Sequence, residues 1–150
     1  MRVAAIDCGT NSIRLLVADR ADGGLRDVTR EMQVVRLGQG VDRTGLLAAD
    51  ALERTRVALA GYAATIARLG AQSVRMVATS ATRDARNRDE FVAMVRATLG
   101  ADPEVIAGAE EARLSFAGAA SVLPEGGGAV LVADIGGGST ELVLGDGNGV

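Results

Sequence analysis

One short pattern occurs twice, near the two ends of the chain: an apolar run carrying an aspartate, then glycine and a hydroxyl residue, then a second apolar run. Ala5-Ile6-Asp7-Cys8-Gly9-Thr10 leads into residues 12–19, and Ala133-Asp134-Ile135-Gly136-Gly137-Gly138-Ser139-Thr140 leads into residues 141–144. Apolar runs broken by a short glycine-containing link signal strand, turn and strand. The sequence therefore predicts two hairpins with polar tips, and any fold for this chain must accommodate both.

Between them the order of elements can be read from periodicity. A turn at Ala21-Asp22-Gly23-Gly24 and partial alternation over 25–37 predict a third strand, which makes the first third an antiparallel meander. Residues 38–47 hold three glycines and read as a loop. Leu52, Val57, Leu59, Ala63, Ile66 and Leu69 recur at helical spacing over 49–69, with Gly70 as the stop. A strand over 73–78, a helix over 86–99 closed by Gly100, a strand over 104–107 and a helix over 108–123 follow. Residues 129–134 and 141–144 form the last hairpin. The order βββαβαβα, then ββ, is an α/β pattern. The first copy of the repeated pattern opens a whole unit, whereas the second is followed by a hairpin alone. This predicts a complete domain over 1–124, the start of a second over 125–150, and a longer parent protein.

Composition limits the function classes. With 48% apolar residues the chain can bury a core, but two Phe, one Tyr and no Trp mean that Val, Leu, Ile and Ala must build it. No run approaches the roughly 20 apolar residues of a membrane span, and the N-terminus lacks a signal-peptide pattern, so a cytoplasmic protein without membrane association is expected. A net charge of −3 argues against a nucleic-acid surface. All 16 cationic side chains are arginine. A GC-rich coding sequence produces that bias, although arginine's planar fork also suits phosphate oxygens. With no histidine, general-base work at neutral pH falls to a carboxylate or to water. The single cysteine, Cys8, excludes an internal disulfide and reads as a buried thiol.

The candidate chemistry lies at the glycine turns. Gly9, Thr10, Asn11 and Ser12 offer backbone N–H groups and hydroxyls to an anion, with Asp7 placed to hold a cation through water; an ordinary polar hairpin tip looks the same. Gly136, Gly137 and Gly138 weaken a hairpin unless backbone must approach a ligand, and Ser139, Thr140, Asp134 and Glu141 flank them. At Gly108-Ala109-Glu110-Glu111-Ala112-Arg113 two carboxylates begin a helix. The helix dipole alone favours them there, and only one can face a given cleft because neighbours on a helix point about 100° apart. Arg83, in Thr79-Ser80-Ala81-Thr82-Arg83, either meets a phosphate or caps a helix. Arg14, inside an apolar run, must reach an edge or an anion.

Taken in order, Ala5-Ile6-Asp7-Cys8-Gly9-Thr10-Asn11-Ser12-Ile13-Arg14-Leu15, Leu37-Gly38-Gln39-Gly40-Val41, Ala78-Thr79-Ser80-Ala81-Thr82-Arg83, Gly108-Ala109-Glu110-Glu111-Ala112-Arg113-Leu114 and Asp134-Ile135-Gly136-Gly137-Gly138-Ser139-Thr140-Glu141-Leu142 strongly resemble the exopolyphosphatase / guanosine pentaphosphate phosphatase (Ppx/GppA) family. The resemblance implies two ribonuclease H-like domains of the actin-like ATPase superfamily, facing each other across a cleft. It also implies Mg²⁺-dependent hydrolysis of a terminal phosphoanhydride of inorganic polyphosphate or guanosine pentaphosphate. By position, Glu111 resembles the base that activates water, and Arg83 a phosphate ligand alongside Arg14. Residues 9–12 and 136–140 resemble two phosphate loops, and Asp134, Glu141 and Asp7 the metal-side carboxylates. Family members continue well beyond residue 150, so weak or absent activity is expected of this chain alone.

Two other functions fit the same loops: a polyphosphate- or nucleotide-binding module without turnover, and an actin-like ATPase or sugar kinase. An unpaired hairpin edge at the C-terminal end also favours pairing with a second copy, so a homodimer is expected.

Overall fold

The computed structural model describes residues 1–22, 24–121 and 128–146. Gly23 of the first predicted turn, residues 122 and 123, the boundary expected at 124/125 and residues 147–150 lie outside them.

Strands β1 (Arg2–Cys8), β2 (Ser12–Ala21) and β3 (Gly24–Val34) form the expected antiparallel meander. Strand β4 (Ser73–Ala78) adds parallel to β1, and the two-residue β5 (Glu104–Val105) adds parallel to β4, giving a mixed sheet of order β3-β2-β1-β4-β5. Successive side chains of a strand point to opposite faces, and burial follows that rule. Ala4, Ile6 and Cys8 of β1 and Ile13, Leu15 and Val17 of β2 are buried in one cluster. The helices α2 (Ala49–Leu69) and α4 (Arg88–Leu99) cover that face with Leu59, Tyr62, Ile66, Phe91 and Val95. The chain's three aromatic rings, Tyr62, Phe91 and Phe116, are all buried, so the scarce large side chains go to the interior. Gly70 and Gly100 end these two helices in the left-handed conformation, as the sequence predicts.

Several local details differ from the periodicity. The strand read over 104–107 ends at Val105, and the helix read over 108–123 ends at Ala120. The third strand stops at Val34 rather than 37, because the Val35 and Arg36 N–H groups both donate to the Asn11 carbonyl and draw the chain towards the first glycine turn. The stretch read as loop contains a short helix, α1 (Val41–Thr44), set between left-handed Gly40 and Gly45. Directly after β4 comes α3 (Ser80–Asp84), whose buried residues Ser80, Ala81 and Thr82 carry no hydrophobic period that would reveal it.

Helix α5 (Gly108–Ala120) leads towards β6 (Val130–Ile135) and β7 (Thr140–Gly145), which pair antiparallel as a separate two-stranded sheet. The hairpin packs on α5, where Phe116 and Val143 are buried. Its other face leaves Leu131, Ile135, Leu142 and Leu144 exposed among the described residues. Among these residues no helix is long and apolar enough to cross a membrane.

Candidate active site

The two glycine turns are built alike. Gly9 N–H donates to Ser12 O at 3.0 Å, and Gly136 N–H donates to Ser139 O at 2.9 Å. Each turn of four residues joins a pair of facing positions, Cys8 with Ile13 and Ile135 with Thr140. The next pair outward differs in charge: Asp7 stands opposite Arg14, and Asp134 stands opposite Glu141.

The turns are pressed together. A methyl group at Gly137 would lie 2.6 Å from Asn11 Nδ2, and one at Gly138 would lie 2.6 Å from Thr10 Oγ1 and 2.9 Å from Ser80 Oγ. A side chain at either position would displace Asn11, Thr10 or Ser80 from its present place. Thr10 and Ser80 share a 2.8 Å hydrogen bond, which ties the first turn to the start of α3.

A pocket of about 240 Å³ opens where the turns meet. Gly9, Thr10, Asn11 and Ser12 supply one side of it, and Gly136, Gly137 and Ser139 the other. Asp7, Arg14, Asp134 and Glu111 bring the charged groups, and Thr79 and Ser80 add hydroxyls. Gly138 lines the adjoining hollow instead, while Arg83, Thr140 and Glu141 stand outside the pocket wall.

Helix α5 resolves the adjacent glutamates. Glu110 turns outward to Arg113, at 2.8 and 2.9 Å. Glu111, in the same first turn, faces the pocket, and its Oε2 accepts from Arg83 Nη1 at 3.2 Å. Arg83 also donates to the Ile106 carbonyl at 2.8 Å, so it reaches the site through Glu111 and does not cap a helix in solvent. Burial pushes the Glu111 carboxyl above the usual carboxylate range, opposed by hydrogen bonds from Arg83 and Thr79 and reinforced by the Glu141 charge. Burial also raises Asp7, with Arg14 pulling it down and Asp134 pushing it up. Cys8 is buried and its thiol is pushed up by desolvation, the opposite of what a nucleophile needs.

Among the described residues no three acidic side chains converge as a ready-made metal cage, so Asp7, Asp134 and Glu141 do not form one together. Mg²⁺ is more often held by one or two carboxylates with waters and substrate phosphates. Asp7 and Asp134, which border the same pocket from facing turns, suit that mode.

Two parts of the site had weak or absent sequence signals. Thr79 and Ser80 belong to a run of hydroxyl residues, but only the bend from β4 into α3 turns them into the pocket. Ser115, on α5, donates to Asp134 Oδ2 and had no signal, since nothing in the sequence pairs it with a residue of the distant hairpin.

The sequence model of the Ppx/GppA phosphatase family matches residues 16–150. The chain belongs to this family. It is 58% identical over 154 residues to Exopolyphosphatase 2 of Mycobacterium tuberculosis, with 97% of this chain and 48% of that protein covered. The crystal structure of an exopolyphosphatase from Cytophaga hutchinsonii superposes with a TM-score of 0.93 at 31% identity, covering 99% of this chain and 47% of that one. The Ppx/GppA family member from Aquifex aeolicus gives 0.84 at 40% identity, covering 98% and 48%. The chain thus spans about half the length of the relatives it matches. Its mixed five-stranded α/β sheet is the fold of these Ppx/GppA structures, as the motifs led one to expect.

Proposed function

We propose that this chain is the N-terminal half of an exopolyphosphatase, a hydrolase that releases orthophosphate from the end of inorganic polyphosphate. In this reading residues 1–124 form the first of two facing domains and 125–150 begin the second. The observation that carries it is the placement of Glu111: a carboxylate with a raised pKa, aimed into a pocket between two glycine turns, in a chain without histidine.

The hydroxyls of Thr10, Ser12 and Ser139, with backbone N–H groups of the two turns other than those of Gly9 and Gly136, bind the oxygens of the terminal phosphate, and Arg14 at the pocket wall adds positive charge. Glu111 accepts a proton from a water as that water's oxygen forms a bond to the terminal phosphorus. The phosphoanhydride P–O bond breaks, and the shortened polyphosphate leaves with the bonding electron pair. Arg83 holds Glu111 in place. Mg²⁺, held by Asp7 and Asp134, would neutralise phosphate oxygens and favour departure of the leaving chain. The 5′ end of guanosine pentaphosphate presents the same bond and is the second substrate of this proposal.

The test is phosphate release by the full-length protein from long-chain polyphosphate, guanosine pentaphosphate and ATP, with and without Mg²⁺. Replacing Glu111 by Gln is expected to lower the polyphosphate rate at least about 100-fold. Equal rates for the variant and the parent would remove Glu111 from its role. Saturable binding without release would make the protein a binding module, and ATP turnover far above polyphosphate turnover would make it an ATPase or kinase relative.

A further inference from the structure

The two aspartates of the matched turns stand in unlike surroundings. Asp7 has Arg14 directly across its strand pair, whereas Asp134 has Glu141, a like charge, in the equivalent place. Facing carboxylates repel each other across a ladder. Asp134 also lies close enough to Asp7 for the two charges to repel. Against this repulsion, the described side-chain donor that reaches Asp134 is Ser115.

Ser115 follows Glu111 by four residues on α5, so both project from one face of the helix. A serine inside a helix commonly turns its hydroxyl back to the carbonyl four residues earlier. Here it points across to another element, and Asp134 Oδ2 accepts from it. One carboxylate oxygen is thereby engaged, on a residue that borders the pocket. Magnesium demands near-octahedral geometry and takes carboxylates sparingly, so an aspartate fixed to offer one oxygen suits it better than one free to rotate. Donors behind a metal-binding carboxylate commonly set its affinity in this way.

We propose that Ser115 is a positioning residue that fixes the Asp134 carboxylate for a divalent cation, so that one face of α5 carries both the base and the support of the cation site. This rests on Asp134 being a cation ligand, as proposed above. The hairpin also packs on α5 through both of its strands, with Phe116 of α5 and Val143 of β7 buried, so removing the hydroxyl leaves that packing in place.

The experiment measures Mn²⁺ binding to the full-length protein by electron paramagnetic resonance of the free ion. Thermal unfolding and the Mg²⁺ dependence of phosphate release are followed in parallel. Ser115→Ala is expected to weaken Mn²⁺ binding about 10-fold and to raise the Mg²⁺ concentration for half-maximal rate similarly, with the rate at saturating Mg²⁺ little changed. Ser115→Thr, which keeps the hydroxyl, restores the affinity. Ser115→Cys, a weak donor of similar size, falls between and serves if the alanine variant does not fold. Parent-like Mn²⁺ affinity in Ser115→Ala, together with loss in Asp134→Asn, overturns the role of Ser115 and leaves the cation site standing. Parent-like affinity in Asp134→Asn removes Asp134 as a ligand, and the inference about Ser115 goes with it.

Discussion

The Glu111 carboxylate lies 3.2 Å from the Arg83 guanidinium, and Arg83 is held in turn by the Ile106 carbonyl at 2.8 Å. The pair sets the Glu111 carboxyl between two opposing effects. Burial drives the Glu111 carboxyl upward, and Arg83 and Thr79 restrain it. Replacing Arg83 by Gln removes the main restraint, so the acidic limb of the kcat/KM profile of the full-length enzyme should move to higher pH. A limb that stays in place in a pH–rate series would belong to a group other than Glu111.

The same shift has a consequence for folding. A carboxyl whose pKa is raised in the folded state binds protons more readily there than in the unfolded chain, so its ionisation weakens the fold as pH rises through the raised value. Glu111→Gln should therefore unfold at a higher temperature than the parent at pH 7. The difference should shrink as pH falls and vanish below the ordinary glutamate pKa. Thermal unfolding across pH 4–8 checks both the sign and the window.

Gly137 and Gly138 are close to the first turn for steric reasons. A methyl group on Gly137 would meet the Asn11 side chain at 2.6 Å, so either Asn11 swings out of its place in the pocket or the turns part. Gly137→Ala is expected to lower kcat/KM on polyphosphate at least about 10-fold, on the scale by which small misplacements of reacting groups cost rate. The thermal stability of the five-stranded sheet should be unaffected. An unchanged kcat/KM in steady-state kinetics would show that the turns do not act together.

Thr82 is 1% exposed, and its Oγ1 has no hydrogen-bond partner among the described residues. Valine has nearly the same shape without the hydroxyl. Thr82→Val should stabilise the protein by about 1 kcal/mol, because a buried group that makes no hydrogen bond carries its desolvation cost uncompensated. Chemical denaturation of the two proteins measures it, and a destabilised variant would mean that the hydroxyl is satisfied in solution.

Arg36 adopts φ 51°, the one non-glycine residue with positive φ among those described. It does so where the chain leaves β3 to donate twice to the Asn11 carbonyl. Glycine takes this conformation without strain, so Arg36→Gly is expected to raise stability by roughly 1 kcal/mol. Denaturant midpoints would show the gain, and a loss would assign the arginine side chain a packing role.

The parts of this structure that follow a period or repeat a pattern were legible in the sequence. The meander, the helices α2 and α4 with their glycine stops and the likeness of the two turns could all be read from residue spacing. Glu111 and Arg83 were marked by their motifs, but their contact joins residues 28 apart through a bend that no local pattern encodes. Helix α3 was missed because Ser80, Ala81 and Thr82 are buried without being strongly apolar. The early end of β3 was missed because it is dictated by a carbonyl in a different turn. Ser115 had no signal because its partner is fixed by the seating of the hairpin on α5, a tertiary relationship.

No backbone ladder among the described residues joins β6–β7 to the five-stranded sheet. The two turns therefore belong to separately hydrogen-bonded bodies, and parting them breaks no sheet hydrogen bond. A ligand that grips both turns acts as their fastener, and its binding energy adds to the cohesion of the structure by mass action. The hold of the hairpin on the rest of the structure, beyond its packing on α5, would then rise with the concentration of any ligand that bridges the two turns.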